Sequence, residues 1–479
     1  MKKILKYSFA CLLLLAAAGC NKFEDFGNTN VNPSAVNDAN PAALLSNAIQ
    51  GLQARAFEIR PGYYAQYFSE TQYPEQSLYS IPQVSFAGIY SGALYDMQNV
   101  ISLSTSSNNQ IQVAKIIQQY IFWTMTDRWG DIPYSQALKG ISVIAPVYDK
   151  QEDVYKGMLS TLTAAVAAID GGSVGGDIAY GGDAASWKRV GNSLRILMSI
   201  QLSKRYPGAS EYAATQFKAA LADGGGYIAT NAQNLQLTAD GSNYQNPYFS
   251  IYNGRNDLGQ SATMTNITNA TGDPRQNSFG GASEQKGQNA SSNIGVPYGV
   301  NRTVVTAFTD ANPGWARVLR GDLRTDVPAK PTYIITAAEV ALARAEAANL
   351  GWTTEVLATV YAQGIALSFE QWGAGVPSPA YLAQADVALT GGVANVKNIA
   401  VQRWLASYPD GLQGWNIWRK SGYPVLTPAP NATSTKKQII RRYVYGTDER
   451  TSNLANLNAA IARIPGGVDE GEARVWWDQ

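Results

Sequence analysis

Two pairs of acidic residues in this 479-residue chain have a spacing that could support catalysis. Asp127 and Asp131 lie four residues apart, and Asp448 and Glu449 are neighbours. Glycoside hydrolysis needs only two carboxyl groups, one to protonate the leaving oxygen and one to act as nucleophile or to activate water. Acidic residues beside glycine or proline more commonly form turns. A role in turns is therefore the preferred interpretation, and a glycoside hydrolase that uses paired carboxylates is an alternative.

Most other catalytic classes are excluded because the chain contains no histidine. Ser-His-Asp and Cys-His catalysis, histidine-ligated zinc and the H-E-x-x-H metalloproteases all require that side chain. The segment 171–175 matches G-x-S-x-G, but without a histidine base or a preceding strand it is interpreted as a glycine-rich loop. No P-loop motif is present. The sequence therefore predicts a binding protein rather than an enzyme, with no cofactor and no metal site.

Residues 1–19 have the pattern of a signal peptide. Lys2, Lys3 and Lys6 precede an apolar run that ends at Ala18. This run is too short to span a bilayer. Small residues stand directly before Cys20, as in bacterial lipoproteins whose cysteine is acylated. The leader is therefore predicted to be removed, and Cys20 is predicted to carry a lipid that anchors the mature chain to a membrane.

The charge composition argues against several classes of partner. The chain has 37 basic and 36 acidic residues, so it offers no electrostatic surface for nucleic acid and no polybasic membrane patch. Charged residues make up only 15% of the chain, against about 25% in typical proteins. The sequence therefore predicts a neutral, polar surface that suits uncharged polar ligands and excludes nucleic acid.

An apolar period typical of helices runs through much of the chain. Val113, Ile117 and Tyr120 belong to one such pattern, which is predicted to end near Trp129 and Gly130. The other predicted helices are Pro41–Phe57, Val154–Ile169, Trp187–Tyr206, Tyr212–Ala222, Tyr333–Leu350, Thr354–Trp372 and Val396–Tyr408. They occur as neighbouring pairs with short connections, which indicates stacked helical hairpins of tetratricopeptide type without a strict repeat.

The segment from about 227 to 313 has a different composition. It is rich in Asn, Gln, Ser, Thr and Gly, it carries several tyrosines, and it shows no sustained helical period. Long irregular segments in compact domains are often functional. This segment is predicted to form loops and short strands over the helical scaffold, and a flexible insertion is the alternative.

A family resemblance rests on a series of short motifs. The segment 127–138 reads D-R-W-G-D-I-P-Y-S-Q-A-L and resembles the part of the SusD/RagB family of Bacteroidetes outer-membrane lipoproteins in which a helix turns through G-D-x-P-Y-x-x-A-L. Further segments match in the same order: Asn192 to Arg195, Asp273 to Arg275, Ala338 to Val340, Arg403 and Trp404, Trp415, Arg419, Gly422 to Pro424, Arg441 to Tyr443, and Val475 to Asp478. Together they extend across nearly the whole mature chain.

The resemblance implies a fold, a partner and a location. Family members are mainly α, with four tetratricopeptide-like helix pairs in an α-α superhelix that supports a loop-rich ligand face. Residues 20–479 are therefore expected to form one SusD-like domain. Such proteins lie on the cell surface as the lid of a SusC-like TonB-dependent transporter in the outer membrane, bind nutrients such as oligosaccharides and deliver them to the barrel. One alternative is a lid of the same family that binds peptides. Another is a purely structural scaffold, which would bind another protein and no small ligand.

Sugar binding requires particular side chains on the ligand face. It needs an exposed aromatic ring for the apolar face of a pyranose, and polar side chains for the hydroxyl groups. Trp404 and Trp415 share a helix face with Tyr408 and Arg419, respectively, and are predicted to lie in the core instead. The candidate ligand residues are Tyr73, Gln76 and Tyr79 on an early loop, and Tyr248, Tyr252, Asn253 and Arg255 in the polar segment.

Overall fold

Helices form most of the regular structure in the computed structural model, which describes residues 39–80, 83–239, 245–325 and 330–479. Those of eight or more residues are α1 (Pro41–Ala56), α2 (Tyr95–Ser102), α3 (Asn108–Trp129), α4 (Gln151–Ala168), α5 (Ala184–Gln201), α6 (Tyr212–Leu221), α7 (Ala262–Thr271), α8 (Arg302–Ala311), α9 (Ala337–Asn349), α10 (Leu357–Gln371), α11 (Gly392–Ala406), α12 (Gly411–Ser421) and α13 (Leu454–Ile461). Shorter α-helical turns are Ile59–Tyr64, Ala87–Ile89, Gln276–Phe279, Pro379–Leu382 and Thr447–Ser452.

The described residues also form eight short strands. They are β1 (Phe68–Glu70), β2 (Gln83–Val84), β3 (Leu235–Leu237), β4 (Leu258–Gln260), β5 (Gly280–Gly281), β6 (Arg317–Val318), β7 (Thr332–Ile335) and β8 (Val444–Tyr445). They form two-stranded ladders: β1 with β4, β3 with β7 and β5 with β6 are antiparallel, and β2 with β8 is parallel. Each ladder ties together segments that are far apart in the sequence.

The predicted helical pairs are confirmed. Helix α3 packs on α4, α5 on α6, α9 on α10, and α11 on α12. Neighbouring pairs are in turn joined by contacts of α4 with α5, α5 with α9, and α9 with α11. The chain from residue 41 to 479 therefore forms one compact unit, built on four successive helix pairs.

Capping residues set the ends of the helices. Ser107 and Gln110 form a reciprocal capping box at the start of α3, and Gly130 ends that helix with φ of +84°. Thr336 and Glu339 form the same box at the start of α9. The predicted helix from Tyr333 is wrong at its beginning, because Tyr333 lies in strand β7. A capping Thr after an alternating apolar stretch is the signal for that boundary.

The core contains the two tryptophans that the sequence placed there. Trp404 and Trp415 are both completely buried. The ring of Tyr67 lies 4.5 Å from that of Trp404. Trp415 donates its indole N–H to the carbonyl of Ile440 at 2.7 Å, and its ring lies 5.3 Å from that of Tyr64. Their predicted structural role is therefore confirmed.

A buried carboxylate links the first helix pair to the last one. Asp127, in the final turn of α3, accepts hydrogen bonds from Tyr155 on α4 at 2.5 Å and from Asn416 on α12 at 2.6 Å. The indole N–H of Trp477 donates to it at 2.9 Å. The guanidinium of Arg419 lies between the rings of Trp415 and Trp477, at 3.7 and 4.6 Å from their centroids. One anion therefore holds four parts of the chain together.

The polar segment is more helical than the sequence predicts. It contains strands β3, β4 and β5 as expected, but also helices α7 and α8. Helix α7 reads A-T-M-T-N-I-T-N-A-T, and threonine and asparagine are weak helix formers. Its ends are nevertheless well defined, because Ser261 caps the first turn and Gly272 ends it in the left-handed region. The capping residues, rather than a periodic pattern of apolar residues, determine where this helix begins and ends.

No helix among the described residues combines the length and apolarity needed to cross a bilayer. The leader 1–19 and the predicted lipid attachment site Cys20 lie outside the described residues.

Candidate functional site

The ladder of β1 and β4 brings two distant loops together at one surface. Phe68 pairs with Gln260, and Glu70 pairs with Leu258. The contact continues past the strands, because the N–H of Thr71 donates to the carbonyl of Asp257 at 2.9 Å and its hydroxyl donates to the carbonyl of Asn256. The chain that leaves β1 therefore runs beside the chain that enters β4.

Tyr73 lies at the centre of this surface. Its side chain is 54% exposed. The guanidinium carbons of Arg255 and Arg302 lie 5.8 and 5.9 Å from its ring centroid. Arg302 also donates to the side-chain carbonyl of Gln72 at 3.2 Å. Gln72, Tyr73, Arg255 and Arg302 are called the Tyr73 cluster below, and they combine an accessible ring with hydrogen-bond donors.

The loop that carries Tyr73 is held from beneath by Glu70. This carboxylate accepts from the backbone N–H of Ser77 at 2.9 Å and from its hydroxyl at 2.8 Å. Burial raises the pKa of Glu70 from 4.5 to about 7. The loop returns on itself where Leu78 donates to the carbonyl of Pro74 at 3.0 Å. A buried acid therefore fixes a loop whose outer side presents the aromatic ring.

Three predicted ligand residues are buried, so the expectation that their rings are exposed is wrong. Tyr79 is 2% exposed, and its hydroxyl accepts from the backbone N–H of Ala429 at 3.0 Å. Tyr248 is 4% exposed and packs edge-on against Phe57 at 4.5 Å. Tyr252 is 5% exposed and donates to the carbonyl of Leu258 at 2.6 Å.

These buried tyrosines position the surface instead of forming it. Tyr252 also accepts from the N–H of Val318 at 2.8 Å, so its hydroxyl joins β4 to β6. Tyr79 anchors the end of the Tyr73 loop to the segment near residue 429. In a polar, glycine-rich segment, composition does not distinguish an anchoring tyrosine from an exposed one.

The other candidates remain accessible. Asn253 is exposed and lies two residues before the exposed Arg255, and Gln76 is half-buried. Of the candidates, the structure brings Tyr73 and Arg255 together. The sequence did not indicate Arg302 or Gln72. Arg302 begins helix α8, which carries a capping Asn301, and that cap was the available signal.

The acidic pairs are engaged in structural contacts. Asp127 belongs to the buried network, and burial raises its pKa to about 6. Asp131 accepts from the N–H of Gln151 at 2.8 Å and from Arg463 at 2.5 Å. Asp448 accepts from Ser85 at 2.6 Å, and Glu449 accepts from the hydroxyl of Tyr148. Neither pair lies beside the Tyr73 cluster, and Asp127 is a buried anchor rather than a turn residue.

Comparison with known families identifies the chain. The model of the family described as "Starch-binding associating with outer membrane", the SusD-like family, matches residues 33–446. The chain belongs to the SusD-like family. This family is defined by binding rather than by a reaction, which agrees with the expectation of a binding protein that is not an enzyme.

Solved SusD-like structures have the same fold. A chitin-binding SusD homologue from Flavobacterium johnsoniae is 24% identical, with a TM-score of 0.75 over 92% of this chain and 98% of the other. A SusD homologue from Bacteroides uniformis is 23% identical, with a TM-score of 0.78 over 92% and 100% of the two chains. A SusD-like protein from Bacteroides thetaiotaomicron is 22% identical, with a TM-score of 0.76 over 91% and 98%. No curated protein matches the sequence.

The raised pKa of Glu70 predicts a pH-dependent stability. Because the folded state binds this proton more tightly than the unfolded chain, Glu70 adds stability below pH 4.5 that is lost as the pH rises through about 7. Glu70→Gln keeps an acceptor for Ser77 but cannot ionise. We expect wild type and variant to have similar free energies of unfolding at about pH 4.5, and the variant to be more stable at about pH 8 by on the order of 3 kcal/mol. Urea unfolding at both pH values measures this, and a pH-independent difference between the two proteins would contradict it.

Proposed function

We propose that this SusD-like protein is a surface lipoprotein that captures oligosaccharides at the Tyr73 cluster and delivers them to a SusC-like TonB-dependent transporter. The observation that carries the proposal is the exposed ring of Tyr73 with two arginine guanidinium groups within 6 Å of its centroid. Membership of a family described as starch-binding and associated with the outer membrane supports the ligand class and the location. The chitin-binding homologue shows that this fold accommodates a glycan in another protein.

The chemistry of the cluster suits a sugar. The C–H groups on one face of a pyranose pack against an aromatic ring, and the hydroxyls at its edge need hydrogen-bond partners. Tyr73 supplies the ring, and the guanidinium groups of Arg255 and Arg302, within 6 Å of the ring centroid, supply donors. Asn253, exposed on the same loop as Arg255, adds an amide that both donates and accepts.

Rigidity of the loop supports binding as well. An ordered loop loses less conformational entropy when it takes up a ligand than a mobile loop does. The contacts of Glu70 with Ser77 and of Tyr79 with Ala429 hold the Tyr73 loop in place before any ligand arrives. We therefore assign the buried candidates Tyr79 and Tyr252 to positioning, and Tyr73, Arg255 and Asn253 to contact with the ligand.

Delivery to a transporter requires that the protein stays at the membrane. We assign this role to the lipid on Cys20 and to cleavage of residues 1–19, which together leave the lipid at the N-terminus of a single domain, 20–479. A peptide ligand is the competing possibility for the same surface. A sugar is favoured because the exposed group in the cluster is an aromatic ring, whereas an extended peptide binds to a row of free backbone groups.

Replacement of Tyr73 tests the ligand site. We expect Tyr73→Ala to weaken binding of the best ligand from an oligosaccharide panel by about 1 to 2 kcal/mol, roughly 5- to 30-fold in Kd. The melting temperature should not change, because an exposed loop residue contributes little to stability. The matched control is Tyr95→Ala, since Tyr95 is the other strongly exposed tyrosine among the described residues, at 46%. Isothermal titration in which Tyr95→Ala weakens binding and Tyr73→Ala does not would refute this site.

Replacement of Cys20 tests the anchor. We expect Cys20→Ala to release the protein from the membrane fraction, because a single acylated residue is the proposed attachment. Carbonate washing of membranes, followed by immunoblotting of pellet and supernatant, measures the distribution of wild type and variant. Equal retention of both proteins in the pellet would contradict the proposed lipid attachment.

A further inference from the structure

Arg302 carries a positive charge that the described part of the protein does not neutralise. Its guanidinium contacts the side-chain carbonyl of Gln72 and the ring of Tyr73, and it forms no ion pair with any described residue. Arg302 is also the first residue of α8, where the helix dipole is positive. A cation at that end of a helix is unfavourable. Stability of the fold alone therefore does not account for an arginine here.

Arg255 places a second cation near the same ring. Its Nε donates to the carboxylate of Asp257 at 2.5 Å, and its Nη2 contacts the same oxygen. Nη1 has no hydrogen-bond partner among the described residues. The Arg255 side chain is 63% exposed, so this free edge of the guanidinium is open to a ligand.

Negative charge around the ring is limited. Asp257 is the one carboxylate that pairs with either arginine among the described residues. Glu75, in the same loop as Tyr73, forms no ion pair with them, and Glu70 is buried beneath the loop with its carboxylate bound to Ser77. Two guanidinium groups and one carboxylate therefore surround Tyr73, in a chain with only 15% charged residues. This surface differs from the neutral one that the overall composition predicts.

We infer that the Tyr73 cluster selects acidic saccharides, in which a stacked sugar ring carries a carboxylate that pairs with Arg302 and with the free edge of Arg255. This inference rests on the proposed sugar-binding function and specifies its ligand class. A uronic acid has its carboxylate one bond outside the pyranose ring. The carboxylate of a sugar stacked on Tyr73 would lie outside the sugar ring, within reach of the two guanidinium groups, whose carbons are 5.8 and 5.9 Å from the centroid of the Tyr73 ring. The planar donor fork of arginine matches a carboxylate in two parallel hydrogen bonds.

The protein would distinguish acidic from neutral sugars by their charge rather than by their shape. A neutral sugar of the same shape would stack equally well on Tyr73, but its hydrogen bonds with the arginines would have a charged donor and an uncharged acceptor. Hydrogen bonds in which both partners are ionised are stronger than these, and at an exposed site they are weakened by salt. Affinity for the acidic ligand should therefore fall with ionic strength, whereas affinity for the neutral ligand should not.

A pair of ligands that differ only in charge tests the inference. The mature protein is titrated with oligogalacturonides and with their methyl esters, which keep the same backbone without the negative charges. Glucuronic-acid-substituted and unsubstituted xylo-oligosaccharides form a second pair. We expect the acidic member of at least one pair to bind about 10-fold more tightly at low salt, a difference of about 1.4 kcal/mol. Equal affinities within both pairs, or no binding of either acid, would overturn the inference.

Arginine variants assign the preference to the cluster. Arg302→Gln removes the charge but keeps an amide donor, so it should reduce the preference for the acid from about 10-fold to about 2-fold, by weakening binding of the acid more than binding of the neutral ligand. Arg205→Gln is the matched control, because Arg205 is exposed and lies over the ring of Trp476 at 5.2 Å. An acid preference that survives Arg302→Gln, or that is lost in Arg205→Gln, would place the selecting charge elsewhere and overturn the assignment.

The Tyr73→Ala variant separates this inference from the proposed function. Suppose that neutral oligosaccharides bind, that Tyr73→Ala weakens their binding and that no acid is preferred. The proposed sugar site is then correct, and the inferred selection by charge is wrong. If Tyr73→Ala leaves the binding of every ligand unchanged, the proposed site itself is wrong, and the inference fails with it.

Discussion

The buried carboxylate of Asp127 is the interaction on which the scaffold depends. It lies at the end of α3 and accepts hydrogen bonds from α4, from α12 and from the turn that contains Trp477. A buried anion is tolerated only where hydrogen-bond donors surround it. If Asp127 or one of its donors is lost, a polar group remains unpaired in the interior of the protein. The order of the helix pairs is therefore fixed by polar contacts as well as by apolar packing. The motif D-R-W-G-D begins with this residue, which gives that motif a structural meaning.

The proposed ligand surface is connected to the scaffold by few contacts. The β1–β4 ladder joins residues about 190 positions apart, and beyond its ends it places the Tyr73 loop beside Arg255. Tyr252, Tyr79 and Glu70 hold this arrangement from the inside. Buried groups with satisfied hydrogen bonds thus provide the rigidity, and exposed groups are free for contact with a ligand. The same residue type serves both purposes, as Tyr73 and Tyr79 show six residues apart.

The sequence predicts an element well when the pattern that specifies it is local, and poorly when the element depends on contacts between distant segments. Helices such as α1, α4 and α6 were predictable because their apolar period is local. Helix α7 was not, since caps define it, and the strand at Tyr333 was absorbed into the helix that follows it. Tyr73 and Arg255 were predicted as ligand residues from composition, but Arg302 was not. Its position beside Tyr73 arises from contacts between distant segments, which periodicity does not report.

Hydrogen exchange, measured with and without a bound oligosaccharide, tests the central claim most directly, because it locates the ligand without mutation. The central claim is that recognition occurs at the Tyr73 cluster, on the surface formed where β1 and β4 end. Saturation with the best-binding oligosaccharide should slow exchange in peptides that cover residues 71–80, 253–257 and 301–305. Exchange in α3, α4 and α12 should not change. Protection confined to other parts of the protein, with these three segments unaffected, would contradict the account.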